Sequence, residues 1–99
     1  MGVDPGLTHT GFAVVEPGPD GVTVVDAGVI STTVTQPLEA RLNALYGAVR
    51  RLIAACEPSL VVVEDLYAEY RFPRTAILMG HARGVIYLAA RQLNVTLAA

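Results

Sequence analysis

Val3-Asp4-Pro5-Gly6-Leu7-Thr8-His9-Thr10-Gly11, running on into Phe12-Ala13-Val14-Val15, is the stretch on which the fold turns. A short apolar start ends in a carboxylate, and Pro5-Gly6 predicts a sharp turn directly after it. Pro presets φ for the first corner, and Gly accepts positive φ at the second. Gly11 then opens a β-rich run. Asp4 is therefore expected at the C-terminal end of a strand, in front of a tight turn, where a ligand can reach it. Glu64 has a similar setting at the end of Leu60-Val61-Val62-Val63. The two acids meet only if their strands are neighbours.

Working outward, residues 11–16 read as a strand that stops at Pro17-Gly18-Pro19-Asp20-Gly21. That cluster is a hairpin connection, with Asp-Gly supplying the turn conformations. Val22 to Thr32 is a second long β run, in which Gly28 marks a bulge or a close backbone approach. Three strands joined by tight turns make an antiparallel meander. The period changes at Pro37, after which Leu38, Leu42, Leu45, Val49, Leu52, Ile53 and Cys56 recur at helical spacing. Thr35 or Gln36 is the expected cap, Pro37 suits the first turn, and Pro58 forbids continuation.

Residues 59–63 form a continuous apolar run, the mark of a central strand buried on both faces. A polar and aromatic loop follows over residues 64–72. A second helix is expected from Pro73 or Arg74 to about Gln92, and a last strand from Val95 to Ala99. The order is β-β-β-α-β-α-β, an α/β mixed sheet of a three-stranded antiparallel meander plus two parallel strands, with the helices packed on the sheet. Strand–helix–strand crossovers give parallel neighbours. The first strand then lies beside the fourth, the fourth beside the fifth, and the meander on the other side. Asp4 and Glu64 would end neighbouring strands about 4.8 Å apart, able to bracket one divalent cation at the edge where open α/β sheets bind ligands.

The totals agree with one small domain of 99 residues. At 53% hydrophobic residues and a mean hydropathy of +0.47, the chain is apolar enough to suggest a doubly covered sheet or a subunit interface. No run approaches the roughly 18 apolar residues of a membrane span, and no signal segment opens the chain. The expected compartment is cytoplasmic. A net charge of −2 does not advertise a nucleic-acid binder. Every basic side chain is Arg; Arg41, Arg50 and Arg51 read as a solvated helix face, with phosphate contact as the alternative. The single Cys56 excludes an intrachain disulfide and reads as a small core residue. His9 and His81 lack a second ligand at metal spacing, and Asp65 reads as a solvated neighbour turned away from Glu64.

Three blocks in register carry a resemblance over essentially the whole chain. Gly2-Val3-Asp4-Pro5-Gly6 with Thr10-Gly11, Val63-Glu64-Asp65-Leu66-Tyr67, and Leu78-Met79-Gly80-His81-Ala82-Arg83-Gly84-Val85 resemble RuvC-type Holliday-junction resolvases. The resemblance implies a ribonuclease H-like fold and a homodimer that nicks four-way DNA junctions symmetrically with Mg²⁺, in recombination and repair. It also implies a junction-branch-migration helicase complex as partner. Asp4 and Glu64 match the family's first two catalytic, metal-binding acids. Tyr67 falls where the family carries an aromatic residue that stacks on unpaired bases, with Arg71, Phe72 and Arg74 as further DNA contacts nearby. The family's remaining metal-binding acids lie on a helix beyond residue 99, and its first strand is longer before Gly2. By this resemblance the chain is an N-terminal part of a resolvase, catalytically incomplete alone, with weak or absent Mg²⁺ binding.

Two other classes of function fit parts of the pattern. Asp-x-Gly followed by Thr and Gly also resembles the phosphate loop of actin-like kinases and ATPases, whose turn amides hold ATP phosphates at a site equivalent to residues 4–11. A noncatalytic dimerisation module is the third reading. Gly80 and Gly84 suit either close helix–sheet packing or a partner helix.

Overall fold

The computed structural model describes residues 1–65 and 72–99. Five strands and two helices follow in the expected order: β1 (Gly2–Asp4), β2 (His9–Gly18), β3 (Gly21–Ser31), α1 (Leu38–Cys56), β4 (Leu60–Val63), α2 (Pro73–Gln92) and β5 (Thr96–Ala98). They form one sheet in the order β3-β2-β1-β4-β5. β1 and β2 pair antiparallel, as do β2 and β3, whereas β1–β4 and β4–β5 are parallel. The mixed sheet inferred from the order of elements is the one observed. The meander strands run longer than their apolar stretches, because hairpin pairing carries the ladder through Glu16 to Gly18 without burying them.

The hairpin closes differently from the expectation. Gly18 pairs with Gly21, so Pro19-Asp20 is the two-residue loop and Gly21, at φ 117°, takes the left-handed position after it. Gly28 is a close approach rather than a bulge: a Cβ there would lie 3.2 Å from two ring carbons of Phe12. The register shift falls instead between Val14 and Val15. α1 begins without a side-chain cap from Thr35 or Gln36; Pro37 is the N-cap, and its carbonyl accepts from the amides of Ala40 and Arg41. At the other end Glu57 turns left-handed (φ 48°) and donates to Ile53 O, before Pro58.

Both helices contribute to a single core with one face of the sheet. Leu45, Val49 and Ile53 of α1, spaced by one turn, and Ala82, Ile86, Ala89 and Ala90 of α2 meet Val3, Val14, Val61 and Val63. The alanines let α2 approach closely, and burial of this apolar surface stabilises at about 25 cal/mol per Å². Cys56 is a half-buried neighbour of this core rather than a member of it.

The expectation of a β4 covered on both faces fails. Its pattern alternates, with Val61 and Val63 fully buried but Leu60 and Val62 at 38% and 39% exposure. The second apolar face of the strand turns away from the helices, beside exposed Val15, Val24 and Val29. Gly84 does not serve helix–sheet packing, since it is exposed and a Cβ there would meet nothing within 4 Å. Among the described residues no helix is long and apolar enough to cross a membrane.

Candidate metal centre

Asp4 and Glu64 come together by register. Val3 lies opposite Val63 in the parallel ladder, and the amide of Glu64 donates to Val3 O at 2.9 Å. Each acid is the next residue along, so their backbones lie side by side at roughly strand spacing, about 5 Å. Alternation then fixes their direction. Val3 and Val63 point into the helical core, so Asp4 and Glu64 point to the opposite, open face, and both are exposed. Gly11, the cross-strand partner of Asp4, leaves the ground beside it open, although a Cβ there would make only ordinary contact, 3.8 Å from the Asp4 Cβ.

The segment after Asp4 is held by a buried hydroxyl rather than by a positive-φ glycine. Thr10, with no exposed surface, donates to Gly6 O at 2.6 Å and accepts from the Gly6 amide at 3.2 Å. Gly6 is required because a Cβ would sit 2.4 Å from His9 O, a clash no side chain tolerates; it is not among the positive-φ residues. A second tie comes from Thr32, whose hydroxyl donates to Leu7 O at 2.6 Å and whose amide donates to Thr8 O at 3.1 Å. Arg41 locks this tie through Nε to Thr32 Oγ1 and Nη2 to Thr8 Oγ1, each at 3.0 Å. His9 Nδ1 lies 3.0 Å from Ser31 Oγ, so this imidazole braces the β2–β3 edge.

The arginines of α1 are thus not all solvated, as their helical position alone suggests. Arg41 grips the loop after β1. Arg50 stacks 5.7 Å from the Tyr46 ring centre and donates to Tyr46 Oη and Gln92 Oε1, joining the two helices. Arg51 remains exposed. Asp65 is 69% exposed yet forms an ion pair with Arg83 at 2.9 Å. The roles of Thr32, Arg41 and Arg83 have no local signal in the sequence, because each acts through a partner distant in the chain; Thr10 acts on Gly6, four residues back, and only its place beside Gly11 in the resemblance points to it.

A depression between the loop of Gly6 to His9 and the first turns of α2 is lined by Thr75, Leu78 and Met79. Phe72, 63% exposed, is the residue before α2, and Arg74 is exposed in its first turn. Tyr67 and Arg71 lie outside the described residues.

The whole chain, residues 1–99, matches the family model described as crossover junction endodeoxyribonuclease RuvC. The chain belongs to the RuvC family. Among curated relatives, the crossover junction endodeoxyribonuclease RuvC of Rhodopirellula baltica is 41% identical over 95 residues, covering 96% of this chain and 53% of that protein. The RuvC of Dictyoglomus turgidum is 36% identical over 92 residues, covering 93% of this chain and 58% of its own. The chain therefore spans somewhat more than half the length of these relatives. The fold agrees with solved structures: T. thermophilus RuvC in complex with Holliday junction substrate superposes with a TM-score of 0.87 at 27% identity, over 97% of this chain and 59% of the other. The ribonuclease H-like sheet expected from the resemblance is thus the observed one, and an actin-like ATPase half-domain is not favoured.

The RuvC family implies a divalent metal. The donor set fits one in part: two oxygen-only carboxylates on neighbouring strand ends suit Mg²⁺, which takes one or two protein carboxylates and keeps waters or phosphate oxygens as its other ligands. Among the described residues no group of three or more His, Cys, Asp or Glu side chains gathers at one site. Asp4 and Glu64 are the residues that would hold the ion.

Proposed function

We propose that this chain is the catalytic-edge half of a Mg²⁺-dependent endonuclease that resolves four-way DNA junctions in recombination and repair, acting as a homodimer that nicks symmetrically. The observation that carries this reading is the adjacent pair Asp4 and Glu64, both turned to the open face at the C-terminal edge of β1 and β4. Bound at that edge, a divalent metal would activate the attacking water and stabilise the leaving oxygen of the scissile phosphate. The chain's own contribution is to hold two hard oxygen ligands in one place and to keep the ground in front of them open. Thr10 and Arg41 fix the backbone that follows Asp4, so that the carboxylate starts from a defined position.

We assign the additional metal-binding acids to a segment beyond residue 99, laid over the open face where Asp4 and Glu64 point. The depression between residues 6–9 and α2, with Phe72 and Arg74 at its border, is the ground over which junction DNA would pass. Tyr67 and Arg71 are the remaining DNA contacts in this reading, Tyr67 by stacking on an unpaired base. Assembly with a branch-migration helicase in the cytoplasm follows from the same reading.

The test uses the full-length protein on a four-way junction and on a linear duplex of the same sequence. Paired nicks in opposing strands of the junction are expected with Mg²⁺, none with EDTA, and little cutting of the duplex. Metal-independent cleavage, or equal cutting of both substrates, would overturn the proposal.

A further inference from the structure

We infer that Arg83 is a positioning residue, which grips the backbone at Glu64 so that its carboxylate is presented beside Asp4. This rests on the proposed metal site and adds a residue to it. Arg83 lies on α2, across the core from the β4 edge, with its side chain only 15% exposed. Its Nε donates to Glu64 O at 3.0 Å, and its Nη2 donates to Asp65 Oδ1 at 2.9 Å. The same Nη2 lies 2.5 Å from Tyr87 Oη, and the guanidinium sits 4.6 Å from the centre of the Tyr87 ring, one turn further along α2.

Each contact restricts a different freedom. Tyr87 fixes the guanidinium by stacking and by its hydroxyl, so the fork reaches the strand already oriented. Nε holds the carbonyl of Glu64 itself, and Nη2 holds the next side chain. On the other side, the Glu64 amide is held by Val3 O. The peptide units before and after the Glu64 Cα are therefore tied to separate elements, β1 and α2. Ordinary ladder pairing ends at Val63, so without Arg83 the backbone after Glu64 would lose its tie to α2. Two adjacent carboxylates repel, and loosening the backbone at Glu64 would let its carboxylate shift relative to Asp4. Groups that orient a metal ligand commonly change metal affinity or activity by about 10–100-fold when removed.

Lysine cannot replace this geometry, because one compact ammonium has no fork of separated donors to reach a backbone carbonyl, a carboxylate and a phenol together. The experiment uses full-length protein carrying Arg83→Gln, Arg83→Lys, Asp65→Asn or Glu64→Gln. Two readouts are taken: amide hydrogen exchange across residues 60–65 without metal, and the Mg²⁺ concentration that half-saturates junction nicking. Thermal melting and junction binding in EDTA check that the fold and the DNA surface persist. Arg83→Gln is expected to speed exchange at the Glu64 amide at least tenfold and to raise half-saturating Mg²⁺ about tenfold or more, with the rate at saturating Mg²⁺ within about threefold of the parent. Arg83→Lys should fall between, and Asp65→Asn, which keeps the Nε–carbonyl bond, should shift Mg²⁺ dependence less than threefold. A folded Arg83→Gln protein with parental exchange at Glu64 would overturn the inference, as would a fall in rate with unchanged Mg²⁺ dependence. Normal nicking by Glu64→Gln would instead overturn the metal-site reading, while the exchange measurement still judges the Arg83 grip.

Discussion

The two faces of this sheet carry similar apolar residues and have opposite fates. On one, Val3, Val14, Val61 and Val63 are packed under α1 and α2, with Leu45, Val49 and Ile86 almost wholly enclosed. On the other, Val15, Val24, Val29, Leu60 and Val62 are exposed, and among them stand Asp4 and Glu64. Both helices lie on one side, so the covered face supplies stability and the open face carries the proposed metal site. Two charged carboxylates fit only there. On the covered face their desolvation would cost several kcal/mol each. Stability and activity are thus expected to respond to different residues, although the residues alternate along the same strands.

The sharpest break in that comparison comes from the acids. In full-length protein, Asp4→Asn and Glu64→Gln are each expected to reduce junction nicking to background while junction binding in EDTA and the melting temperature stay close to the parent. Both swaps keep shape and remove a metal-ligating charge. Near-normal nicking by either variant would take that residue out of the metal site, and a large loss of melting temperature would show that the open face carries stability after all.

Leu45→Ala should do the reverse. A side chain with no exposed surface leaves a cavity, and the expected loss is about 2–5 kcal/mol of unfolding free energy by denaturant titration. At a temperature where the variant remains folded, nicking by the full-length protein should persist. Loss of cutting in a folded Leu45→Ala protein would join the two faces into one functional unit.

Tyr67, three residues past Glu64 in the sequence, tests the proposed DNA contact near the acids. Tyr67→Ala is expected to weaken junction binding by roughly 1–3 kcal/mol, the value of one stacked base, whereas Tyr67→Phe should be nearly silent. Equal damage from both would assign the work to the phenol oxygen and reject stacking.

The smallest effect belongs to the open face away from the acids. Val62→Thr keeps β-branching at a position already 39% exposed, and in the 99-residue chain it should change stability by no more than about 0.5 kcal/mol. A clearly larger loss in a longer chain would show that additional sequence covers this face. With two carboxylates instead of a fuller set, the 99-residue chain itself is expected not to nick junctions in Mg²⁺. Metal-dependent nicking that disappears with Asp4→Asn would contradict this.

Much of the fold is determined by local pattern alone. Alternation, the helical period from Leu38 to Cys56, and the stops at Pro37 and Pro58 are properties of neighbouring residues, and the order of elements then restricts the sheet to few topologies. The pairing of Asp4 with Glu64 follows from that topology, because strand ends in a parallel pair meet at one edge. What the chain pattern could not decide is which apolar face is covered. Leu60-Val61-Val62-Val63 is apolar on both sides, and only the packing of two helices on the Val61–Val63 side separates buried from exposed. The turn after Asp4 was legible as a turn, but its cause was not. Gly6 is demanded by the carbonyl of His9 and held by Thr10, both within the turn itself, whereas Thr32 and Arg41 hold the loop from elsewhere in the chain, an effect of atoms brought close by folding. The grip of Arg83 on Glu64 belongs to the same class, since it joins residues 19 apart in sequence through a guanidinium whose aim is set by Tyr87. Periodicity reports which side of an element is apolar; it carries no record of what lies against it, and that is decided only when the elements pack.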